Sequence, residues 1–255
     1  MSAPRVRLEW GGDGVVVVAM EDRATRNSLT AELGDEMEAA FAAIAARPEA
    51  RVVVLHGYDS YFSCGGTRDQ LIAIAERRMK YTDITFFDLC RRCDLPVIAA
   101  LQGHAIGGGL ALGLHADFQV LGEECLYTAN FMAYGFTPGM GSTYTLPRRF
   151  GEHLGWEMLF TGANYRGAEL RARGVPVPVR PRAEVIREAC AEAEQRMAAV
   201  ATPLALDVVV SGGRSSGGAM LVSGHCYEPG VIGLRVDLGP GHAHESLHDE
   251  MLKAL

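Results

Sequence analysis

The sequence has no uninterrupted apolar run approaching the roughly 20 residues that a membrane helix needs, and Met1–Glu9 has no apolar core of the kind a signal peptide carries. It also lacks a basic excess: the formal net charge is −7, which argues against a nucleic-acid partner. Its six cysteines lack regular spacing, so reduced thiols are expected in place of a disulfide framework. Cys90-Arg-Arg-Cys93 is the one close pair. With no second pair at ligand spacing, it reads as two thiols on a helix before Pro96, and no metal site is expected. What remains is a cytoplasmic globular protein whose 255 residues, 48% of them apolar, suffice for one large core or for one domain plus an appendage. The most telling absence is local. Tyr127–Leu146 (YTANFMAYGFTPGMGSTYTL) looks like the floor of a ligand site, with aromatics and a glycine-rich turn, yet holds no Asp, Glu, His, Lys or Cys.

What is present reads as alternating strands and helices. Gly14–Met20 and Arg51–Gly57 are β-branched runs bounded by turn residues, and between them Leu33, Met37, Phe41 and Ile44 recur at helical spacing from near Thr30 to before Pro48. Pro96–Leu101 repeats the strand signal, Gly107–His115 predicts a small-residue helix, and Asp117–Leu121 a further strand. This alternation predicts an α/β fold with parallel strands. Beyond Gly151 the pattern turns helical, with Trp156, Leu159 and Phe160 in one segment and Arg182–Val200 in another. Ser211–Gly241 is rich in glycine and shows no helical periodicity, so an irregular segment is expected there.

Two glycine-rich turns follow strands: Tyr61-Phe-Ser-Cys-Gly-Gly-Thr67 and Gln102-Gly-His-Ala-Ile-Gly-Gly-Gly-Leu110. Each brings backbone amides to a helix start, and two such turns can face one oxygen. Phosphate binding fits poorly, because no Lys-Ser/Thr follows the glycines of the second turn.

With the later Gly135-Phe-Thr-Pro-Gly-Met-Gly, these motifs resemble the crotonase, or enoyl-CoA hydratase/isomerase, superfamily from about Arg5 to Val200. The resemblance implies a crotonase-like spiral of ββα repeats over 1–200. It also implies a C-terminal helical, trimerising region over 201–255, from which the Gly-rich stretch at 211–241 departs, and a homotrimer or dimer of trimers. It carries over the amides of Cys64 and Gly108 as an oxyanion hole. Gly65, Gly66, Gly107, Ala111, Asn130, Phe131, Met132 and Tyr134 are expected around the substrate. The two glutamates with which hydratases of the family add water correspond here to Ala111 and Phe131, neither of which can activate a water.

Within the superfamily, Tyr58–Phe62, Gln102–His104, Asn130–Pro138 and Tyr165–Pro176 are similar to segments of the decarboxylating members of the polyketide β-branching cassette. The resemblance then implies release of CO2 from a 3-methylglutaconyl thioester on an acyl carrier protein, giving 3-methylcrotonyl or its isomer. No cofactor is expected beyond the phosphopantetheine or CoA that carries the acyl group. Lys80, in a segment that covers substrate in the superfamily, is expected to pair with the departing carboxylate. A C-terminal histidine, His242 or His244, is expected to deliver the proton. His104 is expected to pack. Two other readings remain open at this point: an enoyl thioester isomerase using the same amides, and a non-catalytic binding protein of the same fold.

Overall fold

The computed structural model describes residues 4–80 and 83–197 and, beyond them, the backbone of the strands within 223–235. Residue contacts divide the chain into two units, Met1–Ala201 and Thr202–Leu255. In the first unit the elements run β1 (Val6–Trp10), β2 (Val15–Met20), α1 (Ala31–Ala45), β3 (Val52–His56), β4 (Tyr61–Ser63), α2 (Arg68–Ala75), α3 (Leu89–Arg92), β5 (Val97–Leu101), β6 (His104–Ile106) and α4 (Gly108–Leu114). They continue with β7 (Phe118–Gly122), β8 (Leu126–Thr128), α5 (Ser142–Phe150), α6 (Glu152–Thr161), β9 (Tyr165–Arg166), α7 (Gly167–Ala172), β10 (Val179–Arg180) and α8 (Val185–Glu192).

The strands fall into a six-stranded sheet, ordered β1-β2-β3-β5-β7-β10, and a four-stranded sheet, ordered β4-β6-β8-β9. From β2 to β10 the larger sheet is parallel, and β4, β6 and β8 are parallel in the smaller one. From β3 on, the pairs β3-β4, β5-β6 and β7-β8 each spend their first strand in the larger sheet and their second in the smaller, the ββα spiral that the resemblance implies.

The sequence reading passes over β4, β6 and β8. Three residues are too few to show an alternation, so the two glycine-rich segments read as single strand-to-helix turns when each holds a short strand first. The larger sheet is covered on both faces, which is why its strands are continuous apolar runs. Val53 and Leu55 join the core that α1 builds with Leu33, Met37, Phe41 and Ile44, while Val52 and Val54 point the other way, to Val185 and Ala189 of α8. The helix expected over Arg182–Val200 is shorter: a 3-10 turn precedes α8 and π-type backbone follows it at Ala193–Met197. The helical segment expected around Trp156, Leu159 and Phe160 is α6, in which Leu159 is buried and Phe160 exposed.

In the second unit Ser223–Glu228 (β11) and Val231–Arg235 (β12) pair antiparallel, where the glycine-rich composition reads as irregular. Pro229-Gly230 between them is a turn dipeptide, the local signal for such a pair. The remainder of 201–255, with His242 and His244, lies outside the described residues. Among the described residues no helix is long and apolar enough to cross a membrane.

Candidate active site

The two glycine-rich turns meet. Gly65 has φ +73, and a Cβ there would stand 2.4 Å from the Ile106 carbonyl and 3.1 Å from the Gly108 nitrogen. Gly109 is as tightly placed, since its Cβ would fall 2.3 Å from the Ser63 carbonyl. Only glycine permits this approach of β4 and its turn to the start of α4.

The first turn is strapped down from outside by 26–29. Asn27, fully buried and left-handed at φ 52, donates through Nδ2 to the carbonyls of Met20 and Phe62, both at 2.9 Å, and its Oδ1 accepts from the Asp22 N–H at 2.8 Å. Ser63 Oγ donates to the Asn27 carbonyl at 2.6 Å. The Leu29 N–H donates to the Gly65 carbonyl at 2.8 Å, and the Cys64 N–H donates to the Arg26 carbonyl at 3.2 Å. Asn27→Ala removes three hydrogen bonds to backbone groups and is expected to destabilise the fold by about 2–4 kcal/mol, read from urea unfolding.

This strap changes the reading of the site. The Cys64 amide expected to face an oxyanion already has an acceptor. Among the described residues, no acceptor engages the N–H of Gly66 or of Gly108. Gly66 precedes Thr67, which caps α2 in a reciprocal pair: Gln70 N donates to Thr67 Oγ1 at 3.2 Å and Thr67 N to Gln70 Oε1 at 2.8 Å. Gly108 is the first residue of α4, where backbone donors have no intrahelical partner. Gly107, with φ 52 and ψ −115, turns the chain into that helix, and its own N–H donates to the Thr128 carbonyl at 2.8 Å.

Between the turns lies a cavity of about 150 Å³, lined by Cys64, Gly66, Gly107 and Gly108 on one side. Leu71, Ile74 and Ile84 form a second wall, and Asn130, Phe131, Tyr134, Phe136 and Met140 a third. Among the described residues, none that lines the cavity is Asp, Glu, His, Lys or Arg. The Asn130 carboxamide oxygen lies against Gly107, where a Cβ would approach it to 2.9 Å. Burial pushes the Cys64 thiol up, against the opposing pull of Arg26, so it stands as a neutral thiol at neutral pH.

Of the residues expected around the substrate, Gly66, Gly107, Gly108, Asn130, Phe131 and Tyr134 line this cavity, with Tyr134 at its rim, 64% exposed. Three stand elsewhere. Gly65 is the contact between the turns, Ala111 is buried in α4 beneath the cavity wall, and Met132 faces outward on the 3-10 turn Met132–Tyr134. Lys80 is exposed and outside the cavity, its N–H donating to Asp83 at 2.8 Å. His104 packs between strands of the smaller sheet: Nδ1 accepts from the Leu126 N–H at 3.0 Å, and the ring meets Tyr61 edge-on. The sequence reading omits Leu71, Ile74, Ile84, Phe136 and Met140. Leu71 and Ile74 recur at helical spacing, a signal for an apolar face but not for what it covers.

The Cys90 and Cys93 thiols are pushed up by burial, Cys93 to about 11. Among the described residues no cluster of three metal-ligating side chains occurs.

Two unengaged amides at a cavity whose described lining has no carboxylate or histidine suit a reaction that builds negative charge on a substrate oxygen and needs no activated water. The enoyl-CoA hydratase/isomerase family model matches residues 11–209, and the chain belongs to that family. It is 48% identical over 172 residues to the bacillaene synthase decarboxylase PksI of Bacillus subtilis, covering 68% of this chain and 69% of that protein. Among solved structures it is similar to one described as part of a dehydratase/decarboxylase enzyme couple involved in polyketide beta-branching, at 42% identity and TM-score 0.74 over 77% of this chain and 83% of that one. It is also similar to a variant of the ECH2 decarboxylase domain of CurF from Lyngbya majuscula, at 36% identity and TM-score 0.73 over 78% and 84%.

Proposed function

We propose that this chain decarboxylates a 3-methylglutaconyl thioester delivered on an acyl carrier protein, with the amides of Gly66 and Gly108 as its oxyanion hole. The observation that carries the reading is the cavity itself: among the described residues, two amide donors without acceptors and no charged side chain on its walls.

The thioester oxygen accepts from both N–H groups. The bond between Cγ and the carboxylate breaks, CO2 leaves, and the electron pair passes through the double bond onto the thioester oxygen as a dienolate. Fixed donors at that oxygen stabilise the charge as it forms. Phe131, Phe136, Ile74 and Met140 keep the surroundings dry, which disfavours the ionised carboxylate more than the neutral CO2 it becomes. Protonation at Cγ gives 3-methylcrotonyl, and at Cα the β,γ isomer. Hydration is not supported, because neither Ala111 nor Phe131 can activate water.

Lys80 is assigned to the departing carboxylate. It lies on the segment joining Ile74 to Ile84, both of which line the cavity, so the reading requires this segment to fold over the bound acyl group. Lys80→Ala is then expected to lower the rate of CO2 release at saturating substrate by about 10-fold or more. His242→Ala or His244→Ala removes only the later proton, so CO2 should still appear while the position of the product double bond becomes less controlled. A Lys80→Ala rate equal to the parent's would leave Lys80 a surface residue. The reading itself is tested with 3-methylglutaconyl thioester labelled at its carboxyl carbon. Labelled CO2 should appear together with a five-carbon enoyl thioester; double-bond migration without CO2 would favour the isomerase.

A further inference from the structure

Helix α4 carries Gly108 at its start and His115 as its C-cap, and Met140 touches it at both places. The His115 Nε2 lies 2.9 Å from the Met140 carbonyl oxygen. A carbonyl only accepts, so Nε2 carries the proton and donates. Met140 is left-handed at φ 54, and Gly141 beside it at φ 66. For a residue with a side chain that conformation costs about 1–2 kcal/mol and persists only where neighbours hold it.

The holding contacts are specific. A Cβ on Gly141 would meet His115 Cε1 at 3.3 Å, and the imidazole is packed against the Phe87 ring at 5.5 Å. Asp88, Arg91 and Arg149 are the charged groups around it, and burial pushes the imidazole down, so it is neutral with a single N–H to give. At the other end the buried Met140 side chain lies on Gly108, where a Cβ would find its sulfur at 2.9 Å and its methyl at 3.3 Å.

We propose that His115 is a positioning residue: by donating to the Met140 carbonyl it keeps Met140 left-handed, and so holds the Met140 side chain on Gly108 as the wall that limits the acyl group to a short, branched one. The inference rests on the reading of the cavity as the acyl site. Release of the hydrogen bond lets the strained residue relax, and the wall leaves Gly108.

The test is binding of two unreactive probes, isovaleryl-pantetheine and octanoyl-pantetheine, to the full chain by calorimetry. The parent is expected to prefer the isovaleryl probe. His115→Phe keeps a ring against Phe87 but cannot donate, and should narrow that preference by about tenfold, the scale of losing pocket fit to an apolar group. His115→Gln presents an N–H to the same carbonyl and should restore the parent preference, which a merely structural role would not do. Met140→Gly adopts the left-handed backbone freely and so keeps the fold, yet should narrow the preference with His115 intact. The inference is overturned if His115→Phe or Met140→Gly keeps the parent preference, or if His115→Gln loses as much as His115→Phe. A parent that binds isovaleryl-pantetheine but releases no CO2 from 3-methylglutaconyl thioester defeats the decarboxylase reading alone, and the preference series still decides this one. A parent that binds neither probe overturns both.

Discussion

Gly66→Pro is expected to lower decarboxylation turnover by about 100-fold or more, the scale of losing one oxyanion donor, while Gly66→Ala should stay close to the parent. The pair separates the amide from the side chain. Alanine keeps the N–H, and its Cβ would approach nothing nearer than Leu71 Cδ2 at 3.5 Å, an ordinary contact. Proline removes the N–H at a position where no acceptor among the described residues depends on it. Cys64→Ala belongs beside them as a control, because the Cys64 N–H serves the Arg26 carbonyl and the thiol is neutral. Thermal melting of each variant separates loss of the donor from loss of the fold. Parent-like turnover by a folded Gly66→Pro would remove the first turn from the oxyanion hole.

The second large effect is expected at Phe131, buried to 6% exposure on the cavity wall where hydratases of the family carry a glutamate. Phe131→Glu returns a carboxylate to that wall, and Phe131→Gln returns its uncharged isostere. Two like charges about 4 Å apart repel by about 4 kcal/mol at an effective dielectric of about 20, so kcat/KM for CO2 release should fall by about 100-fold or more below the glutamine variant. The glutamine variant itself measures the cost of the missing ring. Equal rates for the two would mean that the substrate carboxylate does not lie against Phe131. Ala111 is a poorer site for the same experiment: it is 1% exposed within α4, and a carboxylate there would disturb the core before it met any substrate.

The sequence reveals more of the frame than of the site. Val52–His56 and Val97–Leu101 are legible because strands buried on both faces must be continuously apolar, and α1 because Leu33, Met37, Phe41 and Ile44 keep helical spacing over about three turns of chain. The motif resemblance identifies both glycine-rich turns. It points to the Cys64 amide, whose N–H the structure places on the Arg26 carbonyl, and the reading proposed above moves the role to Gly66; the competing acceptor lies on a segment that precedes α1 and is far away in sequence. Hydrogen bonds of that kind follow from tertiary packing and leave no local pattern. Met132 shows the same limit. It adjoins Phe131 and is equally apolar, but the 3-10 turn over Met132–Tyr134 sends one side chain into the cavity and the other to the surface. The second wall, from Leu71 and Ile74 on α2, is visible as an apolar face only, since periodicity tells which side is buried and not what it is buried against.

The measurement that bears most directly on this account is a crystal structure of the full chain with an unreactive acyl-pantetheine bound. The thioester oxygen should lie within about 2.7–3.2 Å of the nitrogens of both Gly66 and Gly108, with the acyl group between Phe131 and Met140 and the Cys64 N–H still on the Arg26 carbonyl. A thioester oxygen bound by the Cys64 amide, or by neither glycine, would contradict it.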